Sequence, residues 1–364
     1  MDNYSIFQSG AHPIYLCNKS FCNIKDFFKS NDGNHFSNVF LLADENSNEK
    51  CIPALKENVE FLKKSKTITI ESGEENKTIE KAQYIWQQLI DLGADRNSLL
   101  INIGGGVICD LGGFVASTYK RGITFIHIPT TLLAMVDASI GGKVGVNLKK
   151  IKNQIGLYSQ PLAVFVNPYF LGTLPRRQLL SGYAEMIKHA LLNGKKYWKV
   201  VSKQNFNEIV DWEYLIEGSV KIKSQVVLSD PNEYDLRKAL NFGHTIGHAL
   251  ETLAMETSPN TLLHGEAVAM GMICETWLSS KIAKLDLDKM NEINQFILSQ
   301  FDYYKLPENY KDEMFELLRQ DKKNSNGIFN FTLLSSIGKP LINQKCSLDL
   351  IWECLNYYQS LYKN

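Results

Sequence analysis

Apolar and polar positions follow two different periods along the chain, and the change falls near its middle. Between residues 38 and 128, short apolar runs alternate with stretches of helical period. Asn38 to Ala43 (NVFLLA) reads as a buried strand, Cys51 to Leu62 as a helix, Lys66 to Glu71 (KTITIE) as a strand, and Lys77 to Leu92 as a helix ending at Gly93. Leu99 to Ile103 is apolar almost throughout, as in a parallel strand covered on both faces. Thr124 to Ile128 adds a further short strand. Strand and helix in alternation imply βαβ units, right-handed crossovers and ligands at the carboxyl ends of the strands.

From Pro175 the helical period takes over. A proline in the first turn, followed by Leu179, Leu180, Tyr183, Ile187 and Leu191, predicts an amphipathic helix. Further helices are expected at Trp212 to Leu228, Arg237 to Met255, Glu266 to Ala283, Asp288 to Phe301 and Asp312 to Leu318. GIFNFTLLSSIGKPLI alternates like a hairpin, and Leu348 to Leu361 closes the chain as a helix. The expectation is therefore an α/β domain over 1–174, with a parallel sheet and flanking helices, and a mainly α-helical domain over 175–364. The segment before Asn38 says little.

Chemistry concentrates in Arg237 to Glu266, which holds His244, His248 and His264. His244 and His248 are four apart at helical period, so both imidazoles project from one face. His264 follows a Ser-Pro-Asn loop that can return it toward the same point. A helical histidine pair is often an ordinary packed pair; the third histidine favours a metal, and Glu185 is the best candidate for a carboxylate ligand, since catalytic zinc keeps three protein ligands and an open position. Glu185 and Lys188, three apart, share a face away from most of the apolar stripe, as an ordinary surface pair also would. Earlier in the chain, Gly104, Gly105 and Gly106 join a strand to a helix. They suit a close approach to a pyrophosphate at a helix amino end, or simply a tight turn, because the spacing is not GxGxxG. Asp137, Lys143, Lys152 and Asn153 collect in a glycine-rich loop region that suits a phosphate or carboxylate.

Composition narrows the setting. The 364 residues are 44% hydrophobic and carry 39 basic and 39 acidic side chains, which gives no reason to expect a nucleic-acid or membrane partner. Any anionic ligand needs a local cluster of cations. Seven cysteines without a CxxC pair argue against a disulfide framework or a cysteine zinc site. No signal peptide and no bilayer-spanning apolar run are visible, so a cytoplasmic location is expected.

IGGGVICDLGGFVASTYKRGITFIHIPTTLLAMVDASIGGKVGVN, GYAEMIKHAL, RKALNFGHTIGHALE and LLHGEAVAMGM, in this order, closely resemble the 3-dehydroquinate synthase family, over about Asp44 to Asp321. The resemblance implies an NAD-binding α/β domain joined to a helical metal- and substrate-binding domain, zinc or another divalent ion such as cobalt, and a homodimer. The substrate it implies is 3-deoxy-D-arabino-heptulosonate 7-phosphate, in the shikimate route to aromatic amino acids. Carried over by position, Glu185, His244 and His264 are metal ligands, which moves His248 from ligand to proton-transfer or substrate group. For NAD the pattern gives Asp44, Asn46, Glu74, Lys77, Gly105, Gly106, Asp110, Thr130, Thr131, Lys152 and Thr173. For substrate it gives Asp137, Lys143, Asn153, Lys188, Lys223, Arg237 and Asn241, with Glu233 in proton transfer, Arg121 reaching across the dimer interface, and Lys322 as a weaker match.

Two motifs depart from the family. DExExGLR becomes DPNEYDLR, with Pro231 and Asp235, and GGKT becomes GGKV at Val144. Three rivals remain: a cyclase acting on glucose 6-phosphate or sedoheptulose 7-phosphate, a metal-dependent polyol dehydrogenase, and a silent NAD-binding protein. Lys143, Lys223 and Arg237 oppose the first, because a substrate carboxylate as well as a phosphate needs cations.

Overall fold

A computed structural model of the protein describes residues 4–9, 12–17, 21–29, 35–149, 151–205, 210–257, 261–307, 310–320 and 329–361. The chain forms two compact units, Met1–Leu179 with Asp211–Pro231, and Leu180–Val210 with Asn232–Asn364. The first unit holds β1 (Tyr4–Ser9), β2 (His12–Cys17), α1 (Cys22–Lys29), β3 (Val39–Asp44), α2 (Glu45–Lys50), α3 (Ile52–Asn58), β4 (Lys66–Ile70), α4 (Ile79–Asp91), β5 (Leu99–Gly104), α5 (Gly106–Thr118), β6 (Thr124–Pro129), β7 (Lys143–Leu148), β8 (Ile151–Tyr158) and β9 (Val164–Val166). α6 (Arg176–Asn193) and α7 (Lys195–Val201) lead into the second unit, and α8 (Trp212–Ser229) returns to pack on β1. α9 (His244–Thr257), α10 (His264–Ile282), α11 (Leu287–Gln300), α12 (Lys311–Gln320), the hairpin β10 (Phe329–Ser336) and β11 (Lys339–Cys346), and α13 (Leu348–Ser360) complete the second unit.

The expected parallel sheet is present, with seven strands in the order β1-β2-β9-β6-β5-β3-β4. All neighbours are parallel except β1 against β2. β5 is central, and Leu99, Leu100, Ile101 and Ile103 are all 0% exposed, contributing roughly 1.5–3 kcal/mol each. Its register pairs Ala43 with Ile103 and Gly104 with Pro129. Asp44, Gly105, Thr130 and Thr131 therefore line up at the carboxyl edge of the sheet, where α/β folds bind ligands.

Several elements differ from expectation. Asp44 caps an additional helix, α2, and the single helix expected over 51–62 is split at the extended Val59 into α3 and a 3-10 turn at Glu60–Leu62. The glycine-rich stretch after Met135 is no open loop: a π turn at Ala134–Ala138 leads into the antiparallel β7–β8 ribbon. The expected helix over 237–255 breaks at Gly243, φ 81°, leaving a 3-10 turn at Leu236–Asn241 before α9. The amino-terminal hairpin and α7 were not expected. Among the described residues, no helix is long and apolar enough to cross a membrane.

Candidate active site

α6, α9 and the first residue of α10 bring one cluster together in the second unit. α10 approaches α6 so closely that a Cβ at Gly265 would overlap the Ser181 carbonyl, and Gly265 N–H donates to Ser181 Oγ at 3.0 Å. This contact places His264 beside Glu185. Glu185 Oε1 lies 3.4 Å from His244 Nε2 and 3.5 Å from His264 Nε2. Those gaps are long for hydrogen bonds. They match the edge of a tetrahedron whose ligand atoms stand about 2.0–2.2 Å from a central ion, which is about 3.3–3.6 Å.

The protonation states fit the same use. His244 Nδ1 lies 3.1 Å from the Phe242 carbonyl, which can only accept, so Nδ1 carries the proton and Nε2 keeps its lone pair. Burial lowers His244 to about 4, so the ring is neutral at pH 7. Burial would raise Glu185, but Lys188 and the two histidines outweigh it and hold the carboxyl well below its ordinary range. Lys188, 1% exposed, pairs with Oε2, and neither Glu185 oxygen makes a hydrogen bond of good geometry. The sequence pattern had set Glu185 and Lys188 away from the apolar stripe; both are instead fully buried.

His248 is the exposed member, its ring 5.1 Å from that of His244 and 5.7 Å from that of His264. Nitrogens of all three histidines lie within 4.8 Å of one another. Sequence reasoning missed Glu251, 2% exposed, whose Oε2 lies 3.4 Å from His264 Nδ1. Its spacing of three from His248 and seven from His244 was the available signal. Burial would lower His264, but Glu251 and Glu185 raise it to about 10. A metal must displace that proton. Loading the metal-free protein at pH 7 is therefore expected to release about one proton per site, and affinity to rise with pH toward 10. Stability of the metal-free fold runs the other way: the His264 contribution is complete below 6.5 and fades as pH climbs to about 10. Proton release and melting temperature across this window check both; pH-independent affinity would contradict the assignment.

The first unit gathers a second set. Gly105 caps α5 without a side chain, and a Cβ there would stand 3.1 Å from Thr131 Cγ2. Thr130 N–H donates to Gly104 O at 2.9 Å. The helix amino end therefore opens onto a cradle that fits a pyrophosphate. Lys77 Nζ meets Asp110 Oδ2 at 2.6 Å and Asn153 Oδ1 at 2.5 Å, with Glu74 Oε1 3.9 Å from it and 3.8 Å from Lys152 Nζ. Asn153, carried over as a substrate residue, thus contacts a lysine carried over for NAD. Asn147, not anticipated, ties them: its N–H donates to Lys77 O at 2.8 Å, its amide to Glu74 Oε1 at 2.9 Å, and its Oδ1 accepts from Asn153 N–H at 2.9 Å. A lone asparagine between strand residues carries no such signal.

The remaining positions are more dispersed. Asp44 Oδ1 is engaged by Ser47 N–H at 2.7 Å, Asn46 is exposed on α2, and Thr173 donates to Phe170 O at 3.0 Å. Lys223 Nζ pairs with Asp137 Oδ1 at 2.5 Å, and Lys143 is exposed on β7. Arg237 is 2% exposed, and Asn241 donates to Glu233 Oε1 at 2.8 Å. Arg121 is exposed on a turn where Lys120, Arg121 and Gly122 have φ of 50°, 69° and 109°, a strain of the kind kept at functional positions. Lys322 lies outside the described residues. Val144 is buried against α5, so its departure is absorbed in the core.

Comparison with known proteins shows the family. The family model described as 3-dehydroquinate synthase N-terminal matches residues 67–181, and that described as 3-dehydroquinate synthase C-terminal matches 182–324. The chain is 40% identical to 3-dehydroquinate synthase of Parabacteroides distasonis over 349 residues, 95% of this chain and 97% of the relative. It is 42% identical to the Leptospira interrogans 3-dehydroquinate synthase over 314 residues, covering 84% and 85% of the two chains. In fold it is similar to crystalline 2-deoxy-scyllo-inosose synthase, with a TM-score of 0.82, 23% identity and coverage of 98% and 99%. A 2-epi-5-epi-valiolone synthase from Streptomyces hygroscopicus, with NAD+ and Zn2+ bound, gives a TM-score of 0.79 at 22% identity, with 99% of each chain covered.

Proposed function

The chain belongs to the 3-dehydroquinate synthase family, and from that premise we infer that it converts 3-deoxy-D-arabino-heptulosonate 7-phosphate to 3-dehydroquinate and phosphate, as a carbon-oxygen lyase of the shikimate route to aromatic amino acids. We assign it a cytoplasmic location and a homodimer. The observation that carries the reading is the spacing of Glu185 Oε1 against Nε2 of His244 and His264, which suits a divalent ion, zinc or cobalt.

Held by Glu185, His244 and His264, a divalent ion would supply Lewis-acid polarisation of a substrate hydroxyl oxygen, and NAD at the α5 amino end would supply a reversible hydride acceptor. The protein's own groups do the rest. Glu185, His244 and His264 hold the ion, and Lys188 balances the Glu185 oxygen that the histidines do not face. Gly105, Gly106, Thr130 and Thr131 receive the cofactor's phosphates at the α5 amino end, while Glu74, Lys77, Asp110 and Lys152 form a fixed charged frame, with Asp44, Asn46 and Thr173 as further NAD contacts. Lys143, Lys223, Arg237, Asn241, Asn153 and Asp137 bind the phosphate and carboxylate and orient the sugar. Arg121, from the partner subunit, adds a cation to the phosphate and stabilises its charge as it leaves. His248 at its ring nitrogen and Glu233 at its carboxylate relay protons, with Asn241 fixing Glu233 Oε1.

A rival cyclase or dehydrogenase finds no specific support, since the similarity that favours either is one of fold. Phosphate release and reduced-cofactor absorbance followed in one cuvette test the assignment. Many turnovers of phosphate with no net reduced cofactor are expected from catalytic NAD and zinc. Accumulating reduced cofactor would mean a dehydrogenase, and acceptance of glucose 6-phosphate or sedoheptulose 7-phosphate alone would change the substrate.

A further inference from the structure

The first turn of α9, which carries His244 and His248, has no cap of its own. Its N-cap position is Gly243, whose carbonyl accepts the first helical bond from Gly247 N–H at 3.2 Å. No side chain fits there: φ is 81°, and a Cβ would stand 2.6 Å from Met272 Cγ and 3.0 Å from Val268 O. Gly271 of α10 sits against the Gly243 carbonyl with no room for a Cβ of its own. Such close packing of two helices leaves amide N–H groups buried at the amino end of α9, where an ordinary Ser, Thr or Asp cap cannot be placed.

α10 supplies the missing acceptor. Glu275, 0% exposed in an otherwise apolar stretch, takes Gly243 N–H on Oε2 at 2.6 Å and the N–H groups of Thr245 and Ile246 on Oε1 at 3.1 and 3.3 Å. A carboxylate is suited to this place because it offers two acceptor oxygens and a negative charge to a helix amino end. His244 lies inside the segment so clamped, and its Nδ1 is fixed on Phe242 O, the residue before Gly243. We propose that Glu275 is a positioning residue for the metal site: it fixes the α9 amino end and thereby aims His244 Nε2 at Glu185. This rests on the reading of Glu185, His244 and His264 as the ion's ligands.

Glu275→Gln is nearly isosteric but replaces one acceptor by an NH2 that faces an N–H. Metal-free protein is titrated with Co2+, reading affinity, the visible spectrum of bound Co2+, NAD affinity and melting temperature. Outer-contact changes at metal sites cost about 10- to 100-fold in affinity, and a loss of that size is expected, with an altered Co2+ spectrum and NAD affinity unchanged. Glu275→Asp, which keeps the charge, is expected to recover part of the affinity and provides the measurement if the Gln variant does not fold. Asn294→Ala is the packing control, because Asn294 is buried on α11 and bonds Ile273 O of α10 at 3.4 Å, away from the α9 amino end. It should lower melting without changing Co2+ binding. Parental affinity and spectrum in the Glu275 variants, or an equal affinity loss in Asn294→Ala, overturns the proposal. A parent protein that binds no Co2+ overturns the ligand assignment beneath it.

Discussion

His264→Asn is expected to lose metal and turnover together, and at pH 7 the metal-free protein is expected to melt below the parent, because the charge that Glu251 and Glu185 hold on His264 goes with the imidazole. The imidazole has two jobs, one at each nitrogen. Nδ1 faces Glu251 and Nε2 faces Glu185 Oε1, at 3.4 and 3.5 Å. An asparagine amide still offers Glu251 a donor in place of Nδ1 but has nothing at the position of Nε2, so it removes the ligand and spares the buried carboxylate. His264→Ala removes the donor to Glu251 as well, so it should lose metal equally and melt lower still. Lewis-acid stabilisation of developing charge is worth several kcal/mol; at about 4 kcal/mol, and 1.36 kcal/mol per tenfold, turnover should fall about a thousandfold. Metal content by elemental analysis, read beside activity and melting, decides the matter. Either variant retaining one metal per chain with parental affinity would remove His264 from the ligand set.

The cluster was partly legible in the sequence because its spacing is helical. His244 and His248 had to share a face of α9, and Glu251, at seven from His244, lay on the same line although it was passed over. What hid the burial of Glu185 and Lys188 is that helical period reports polarity and not burial. A charged pair placed off the apolar stripe looks solvated, yet here both are buried with the pair neutralising itself. The break at Gly243 was hidden for a related reason: apolar residues continue at helical period through Leu240 and Ile246, and only the approach of α10 makes a bend there necessary.

The first unit shows the same division. The alternation of strands and helices predicted the parallel sheet, and the position of the three glycines followed from a strand running into a helix. The β1–β2 hairpin was not read because its apolar runs, Ile6 with Phe7 and Ile14 to Cys17, are too short for periodicity to separate strand from helix. The second-unit period gave no means of knowing that α8 packs on β1, because an amphipathic helix advertises an apolar face and not its partner. The charged frame around Lys77 depends on contacts among Glu74, Asp110, Asn147 and Asn153 that lie up to 79 positions apart in the chain, and a single sequence cannot register them.

Equal mixing of Arg121→Ala and Lys188→Ala subunits is expected to restore about a quarter of parental activity from two nearly inactive proteins, the fraction fixed by two-fold symmetry. If each site takes Lys188 from its own chain and Arg121 from its partner, a mixed dimer holds one site with both cations and one with neither. Random exchange makes about half the dimers mixed, and half of their sites are whole. The exposed turn that holds Lys120 and Arg121 at φ of 50° and 69° is what motivates the test. Lys188 is the right companion because it is buried against Glu185 of its own chain. The subunits are unfolded, refolded together and assayed, and mixed dimers are then isolated with two different affinity tags, where about half of parental activity is expected. Proven mixed dimers that stay as inactive as either parent variant would place Arg121 in the site of its own chain, or in none.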